Sequence, residues 1–245
     1  MALSVTTIAP GRMRRSAVVT AVCALAVLAG CSEDPDAGTN GVGKLSAAVI
    51  QSRTRAAATS VETVRMAGTV VTSGRTYRLD MRLNKDGGTG SVTSKGSTFQ
   101  LLRVGERLYL QADADFWNHA DGSDTSAAGT LGGKYVKVPQ GDPAYKKFSG
   151  FTDKDLLLSG LLTLRGPLST AGHHEQSGTR TIRITGDGGS GGTLDVSLDG
   201  KPYPLRLERG GGAGTLTFSD WGKDFSVSEP EKGETVDYGR QLPTS

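Results

Sequence analysis

YRLDMRLNKDGG, residues 77–88, decides how the chain folds. Tyr77, Leu79, Met81 and Leu83 alternate with Arg78, Asp80 and Arg82. Successive side chains of a strand point to opposite faces, so this stretch reads as a strand with one apolar and one wet face. Asn84-Lys85-Asp86-Gly87-Gly88 follows, and these are turn residues that send the chain back alongside itself.

The same period of two recurs outward from this stretch. Upstream, Val64, Met66, Gly68 and Val70 alternate with polar or small residues, and Ser73-Gly74 marks a turn. Downstream, short strands are expected at residues 90–93, 98–104, 107–111 and 135–138, broken by Lys95-Gly96 and Gly105-Glu106, with 117–133 a polar loop. Strands resume after residue 176, at 180–185, 193–198, 203–208, 214–219 and 225–228. The pairs Ile182/Ile184 and Leu205/Leu207 and the set Leu194/Val196/Leu198 again leave one face polar. This makes about eleven strands. The chain has 35 glycines, about twice the usual ~7%, many of them between these runs.

Two stretches break the period. Residues 44–60 are Ala-rich and free of Gly and Pro, with Leu45, Ala48, Val49, Ser52 and Ala56 along one helical stripe. Residues 156–164 are the most apolar part outside the N-terminal segment. Thr152-Asp153-Lys154-Asp155 precedes them, with Thr152 as the expected cap, and Gly166-Pro167 ends them. Successive hairpins plus a few helices give an α+β class with an antiparallel sheet. Two helices cannot cover eleven flat strands, so a strongly curved sheet wrapped around them is expected. With aromatics at 6% of residues, its concave face is either partly open or filled by Leu and Val. The inward set, read from strand parity, is Met66, Val70, Leu79, Met81, Leu101, Leu110, Ile184 and Val196, facing Val49 and Leu157 on the helices.

The N-terminus has a different character. Arg12, Arg14 and Arg15 precede an apolar run at residues 17–29 with no acidic residue before Cys31. Such a run is too short to span a ~30 Å hydrocarbon core and suits a signal peptide. Leu28-Ala29-Gly30-Cys31 resembles the bacterial lipobox. That resemblance makes residues 1–30 a lipoprotein signal and Cys31 the acylated first residue of the mature chain. An ordinary secretory signal would instead leave a free thiol. Two or more acyl chains hold a protein on a membrane stably. Residues 31–43, with Asp34-Pro35-Asp36 and Gly38 to Gly43, read as a flexible tether, and residues 44–245 as one domain on the extracytoplasmic face of the cell membrane.

Three of the 28 basic residues lie in the signal, leaving 25 against 25 acidic ones. A neutral mature chain lacks the electrostatic footprint of a nucleic-acid binder. The two cysteines are Cys23, in the signal, and Cys31, so the mature domain is expected to hold no disulfide. A monomer is expected.

GERLYLQADADFW, GKYVKVP, DGKPYPLRLE and TLTFSDWGKDFSVSEPEKGETVD, in that order, resemble the LppX/LprA/LprF/LprG-type lipoproteins of actinobacteria. These are related in fold to the lipoprotein carriers LolA and LolB. The resemblance runs from the first helix to about Tyr238 and implies a curved antiparallel half-barrel closed by helices around a hydrophobic cavity. It implies binding of acylated lipids or lipoglycans, as several members do. No cofactor is expected. The Gly-rich second half departs from the family pattern.

Several motifs suggest chemistry and have plainer readings. Gly186-Asp187-Gly188-Gly189-Ser190-Gly191 matches a dinucleotide fingerprint, but a strand rather than a helix follows, so a hairpin loop is expected. His173-His174-Glu175 reads as a solvated loop rather than a metal site. Asp113, Asp115, Asp121 and Asp124 miss the calcium-loop spacing, because Trp117 stands where an acid is required. No serine sits in a G-x-S-x-G elbow, and an acylated Cys31 is no nucleophile, so no catalytic residue is assigned. A lipid carrier and a partner-binding or signal-sensing lipoprotein both remain open.

Overall fold

The computed structural model describes residues 34–121 and 129–237, the side chains of 118–121 excepted. Cys31 and the expected signal, residues 1–30, lie outside the described residues. The strands are β1 (Val64–Thr72), β2 (Arg75–Asn84), β3 (Gly87–Ser94), β4 (Ser97–Val104), β5 (Arg107–Ala112), β6 (Tyr135–Val138), β7 (Leu168–Gln176), β8 (Thr179–Gly186), β9 (Gly192–Ser197), β10 (Pro204–Glu208), β11 (Thr215–Ser219) and β12 (Thr235–Asp237). The α-helices described from end to end are α1 (Ala47–Ser60), α2 (Ala114–Asp121), α3 (Pro143–Ser149) and α4 (Lys154–Leu161), and residues 129–131 are helical as well.

All twelve strands form one sheet, in the order β12-β6-β5-β4-β3-β2-β1-β11-β10-β9-β8-β7. Every pair is antiparallel except β12 with β6. Tight hairpins set the register. Ser73-Gly74 both take positive φ, the backbone of a two-residue turn whose twist matches that of the strands. The apolar parity read from the sequence lines up across the sheet. One ladder runs Met66, Met81, Gly90, Leu101, Leu110, Val136. The other runs from Gly68 through Leu216, Leu207 and Leu194 to Ile184. The helices cover this face and close a single buried apolar cluster.

The opposite face is polar and pinned by charge. The Arg65 guanidinium donates to both oxygens of Asp80 at 2.9 and 2.7 Å, and Arg183 to both of Asp195 at 2.6 and 2.9 Å. Beyond β11 the chain leaves the sheet and returns only at β12, beyond β6. Along this strap Glu229 accepts from the Tyr109 hydroxyl at 3.0 Å.

Several expectations are corrected. The sheet is not strongly curled. Strong bending needs bulges, and β1 through β5 pair in unbroken register, with register shifts only at Thr170/His173 and Pro204/Arg206. Among the described residues the strands number twelve rather than about eleven, because β7 and β12 were not expected and 225–228 is not a strand. His173-His174-Glu175 lies in edge strand β7, not in a loop. Part of the expected loop 117–133 is helix: α2 carries Trp117, 5% exposed, and Asp113 accepts from the Phe116 amide at its start. Asp153, not Thr152, caps α4 by accepting from the Leu156 amide. Thr152 is buried and accepts from Arg103 Nε instead. α1 turns Ala47, Ile50, Thr54 and Ala58 to the core, so Val49 is 41% exposed and faces solvent.

The tether also differs from expectation. From Asp34 onward the chain is part of the compact unit. Asn40 donates through Nδ2 to the carbonyls of Ser197 and Gly200, and its amide donates to Leu198 O at 2.8 Å. Arg180 donates to Ala37 O, and Val42 is 2% exposed.

Candidate functional site

The interface between sheet and helices has two halves. Under α2 and α3 it is aromatic. Phe99 of β4 meets Phe116 at 5.4 Å and Phe148 at 5.2 Å, Phe116 meets Trp117 at 5.1 Å, and Tyr77 meets Phe151 at 5.5 Å between ring centroids. The Trp117 Nε1–H is buried there with no hydrogen-bond partner among the described residues. Under α1 and α4 the interface is aliphatic, with Ile50, Leu158 and Leu162 set against the same face of the sheet as Ile184 and Leu194.

Eight of the residues read from parity as inward, Met66, Val70, Leu79, Met81, Leu101, Leu110, Ile184 and Val196, share this cluster. Leu157 is partly buried against it. The gaps left by glycines on the inner face are filled. A Cβ on Gly90 would lie 2.8 Å from Met81 Sδ, and one on Gly88 would lie 2.6 Å from Leu83 Cδ2.

The helix roof is pinned at one end. At the end of the sheet where β1 starts, the buried Lys154 Nζ donates to Thr59 O at the C-terminus of α1. Arg103 reaches from β4 to Thr152 O and Oγ1 just before α4. Lys154 also pairs with Asp155 at 2.7 Å.

At the opposite end there is a cleft of about 470 Å³ between the end of α4 and the tips of three hairpins. Leu161, Leu164 and Leu207 give it an apolar floor, and Arg165 and Arg209 stand on its rim. Glycine makes the tips. A Cβ on Gly191 would sit 1.9 Å from Arg165 O, and one on Gly210 would sit 2.1 Å from Ser190 O, so backbone meets backbone where no side chain fits. The Gly-rich loop at 186–191 is a hairpin connection between β8 and β9, as its sequence context required. The parity reading missed this cleft because backbone packing forms it, and the clustering of glycines was the only sequence signal.

A second cleft, of about 800 Å³, lies between the strap and the β2–β3 and β4–β5 hairpins. Phe225 and Val227 line it together with Glu62, Lys85, Asp86 and Asp224. Its mixed charge selects no single class of ligand. Neither cleft is lined by any of the ten residues read as cavity lining. Among the described residues no three His, Cys, Asp or Glu side chains come together as metal ligands, and no helix is long and apolar enough to cross a membrane.

No protein-family model and no curated protein matches the chain. Solved structures do. LprF from Mycobacterium bovis aligns with a TM-score of 0.51 at 16% identity, over 75% of this chain and 96% of that one. The lipoprotein LppX from Mycobacterium tuberculosis aligns with a TM-score of 0.42 at 18% identity, over 74% of this chain and 99% of that one. An uncharacterized conserved protein from Thermus thermophilus aligns with a TM-score of 0.33 at 12% identity. With twelve described strands in one sheet under a roof of short helices, the chain shares the fold of LprF over 75% of its length.

Proposed function

We propose that the chain is a non-enzymatic lipoprotein, anchored by acylated Cys31 on the extracytoplasmic face of a membrane, that takes acyl chains of a lipid or lipoglycan between its sheet and its helices. The observation that carries this reading is the roof. It consists of short helices on a broad apolar sheet face, with polar pins at one end and, at the other, a cleft of mixed polarity that has Leu161, Leu164 and Leu207 at its floor and two arginines on its rim. Acyl chains entering at Leu161, Leu164 and Leu207 would replace helix–sheet contacts with chain–sheet contacts, driven by burial at ~25 cal/mol per Å². Arg165 and Arg209 would meet an anionic headgroup at the rim. The fold shared with LprF supports the architecture of this reading.

A second reading, a partner-binding lipoprotein with no lipid cargo, is favoured by one observation. Met81 and Leu83 fill the glycine gaps, and eight of the inward residues are buried in one cluster. Native mass spectrometry of the domain purified from a lipid-rich host separates the two. A co-purifying acyl lipid that is lost on Leu207→Arg supports the carrier, and a domain free of lipid that excludes hydrophobic dyes supports the partner-binding module.

A further inference from the structure

The outward face of the α1–α4 roof is unlike the rest of the surface. Val49, 41% exposed, and Leu156, 61% exposed, are the large apolar side chains left open to solvent among the described residues, and both lie on it. α1 has no acidic residue. Its exposed side includes Arg53 and Arg55, and neither has an ion-pair partner among the described residues. On α4 the exposed acid, Asp155, is already paired with Lys154. The face therefore combines bare cations with bare hydrocarbon, the pairing that suits an anionic lipid surface.

The route of the chain says which surface is within reach. Asp36 meets His173 at 3.2 Å, and His173 stands opposite Ile182, whose side chain points toward the helices. The N-terminal segment thus lies on the helix side of the sheet, and Asn40 and Arg180 fasten it there. Only Ser32 and Glu33 separate Asp34 from Cys31, so the two Cα atoms are at most about 11 Å apart. An anchor at Cys31 holds the roof side of the domain close to the bilayer instead of letting it swing on a long tether.

We infer that the α1–α4 face rests on the membrane that carries the anchor, with Val49 and Leu156 in the headgroup layer and anionic headgroups at Arg53 and Arg55. The inference rests on the acylation of Cys31 proposed above and is independent of whether lipid enters the core. One nitroxide label is placed on the roof through Ser52→Cys and another on the opposite sheet face through Arg78→Cys. Each is made in the full chain, which is then reconstituted in nanodiscs of phosphatidylglycerol and phosphatidylcholine containing a nickel-chelating headgroup. Nickel should speed relaxation of the Ser52 label several-fold more than that of the Arg78 label. Adding Val49→Glu and Leu156→Glu, at positions exposed enough to leave the fold intact by circular dichroism, should abolish the difference. Equal relaxation at the two labels, or faster relaxation at Arg78, overturns the inference. The intact mass reports the anchor separately. If the chain proves unacylated, the same labels are made in a Cys23→Ser, Cys31→Ser background and added to vesicles of the same lipids, where the Ser52 contrast upholds the surface and its absence refutes it. On those vesicles Arg53→Gln and Arg55→Gln should each weaken partitioning about fivefold.

Discussion

Phe99→Ala should show how firmly the roof is packed. Phe99 is 5% exposed and is the ring that β4 offers to both α2 and α3. Truncating a buried phenylalanine costs ~3–5 kcal/mol through lost transfer energy and the void left behind. Two ring pairs, each worth ~0.5–1.5 kcal/mol beyond area, place this site at the upper end, near 5 kcal/mol. In a domain of roughly 200 residues that lowers Tm by about 10–20 °C. Because a typical domain has only ~5–15 kcal/mol in total, Phe99→Leu serves as a milder partner. It keeps most of the volume, loses the ring pairs, and should cost about 1–3 kcal/mol. Urea denaturation gives both values, provided the slope m stays constant. Amide exchange should rise in α3 before α1. A loss below about 1 kcal/mol for Phe99→Ala would refute the reasoning. It would mean that the aromatic half of the interface is loosely held, and would favour an open lipid site there.

Three further outcomes are expected. Asn40→Ala removes the bonds to Ser197 O and Gly200 O and should cost about 1–2 kcal/mol; in the parent, amide exchange should show protection at Asn40, and uniformly fast exchange through residue 43 would contradict the docked segment. The Asp80 carboxyl is held below its ordinary value of 3.8 mainly by the hydrogen bond from Arg65, with burial opposing. A depressed folded value means that the stability it adds is present above the unfolded value and is lost as pH falls through the folded one. Asp80→Asn should therefore flatten the acid limb of the stability curve below about pH 5, and an unchanged acid limb would count against the pair. Cys31→Ser should abolish incorporation of radiolabelled fatty acid, and a variant that still incorporates it is anchored elsewhere.

Much of the sheet was legible because strand parity is a local property. β2 shows a full alternation of apolar and charged residues, and its partners inherit that register. β7 was not legible, since its middle residues are exposed on both faces and an edge strand has no apolar side to betray it. The burial of α1 was misread because alanine marks no face strongly, which let Val49 look as inward as Ile50. α2 was hidden by its aspartates, one of which, Asp113, sits where it caps the helix. Curvature was inferred from the shortage of helices, whereas unbroken register and close helix packing solve the same covering problem with little bending. The clefts depend on glycine backbones from distant hairpins and leave no periodic trace in the sequence.

The pairing of β1 with β11 has a consequence for how the protein is made. Thr217, which bonds Ala67 across that junction, is 150 residues further along the chain. Closing a loop of that size costs about 4 kcal/mol of chain entropy before any contact rewards it. The first six strands can pair as consecutive hairpins as they emerge, but one edge of β1 stays bare until nearly the whole chain has been delivered. If the chain is threaded outward from its N-terminus, as the proposed lipoprotein signal implies, it is kept from completing its sheet during passage. Its slowest step should be the late zipping of β11 onto β1, the interval in which a bare edge is most exposed to pairing with a neighbouring copy.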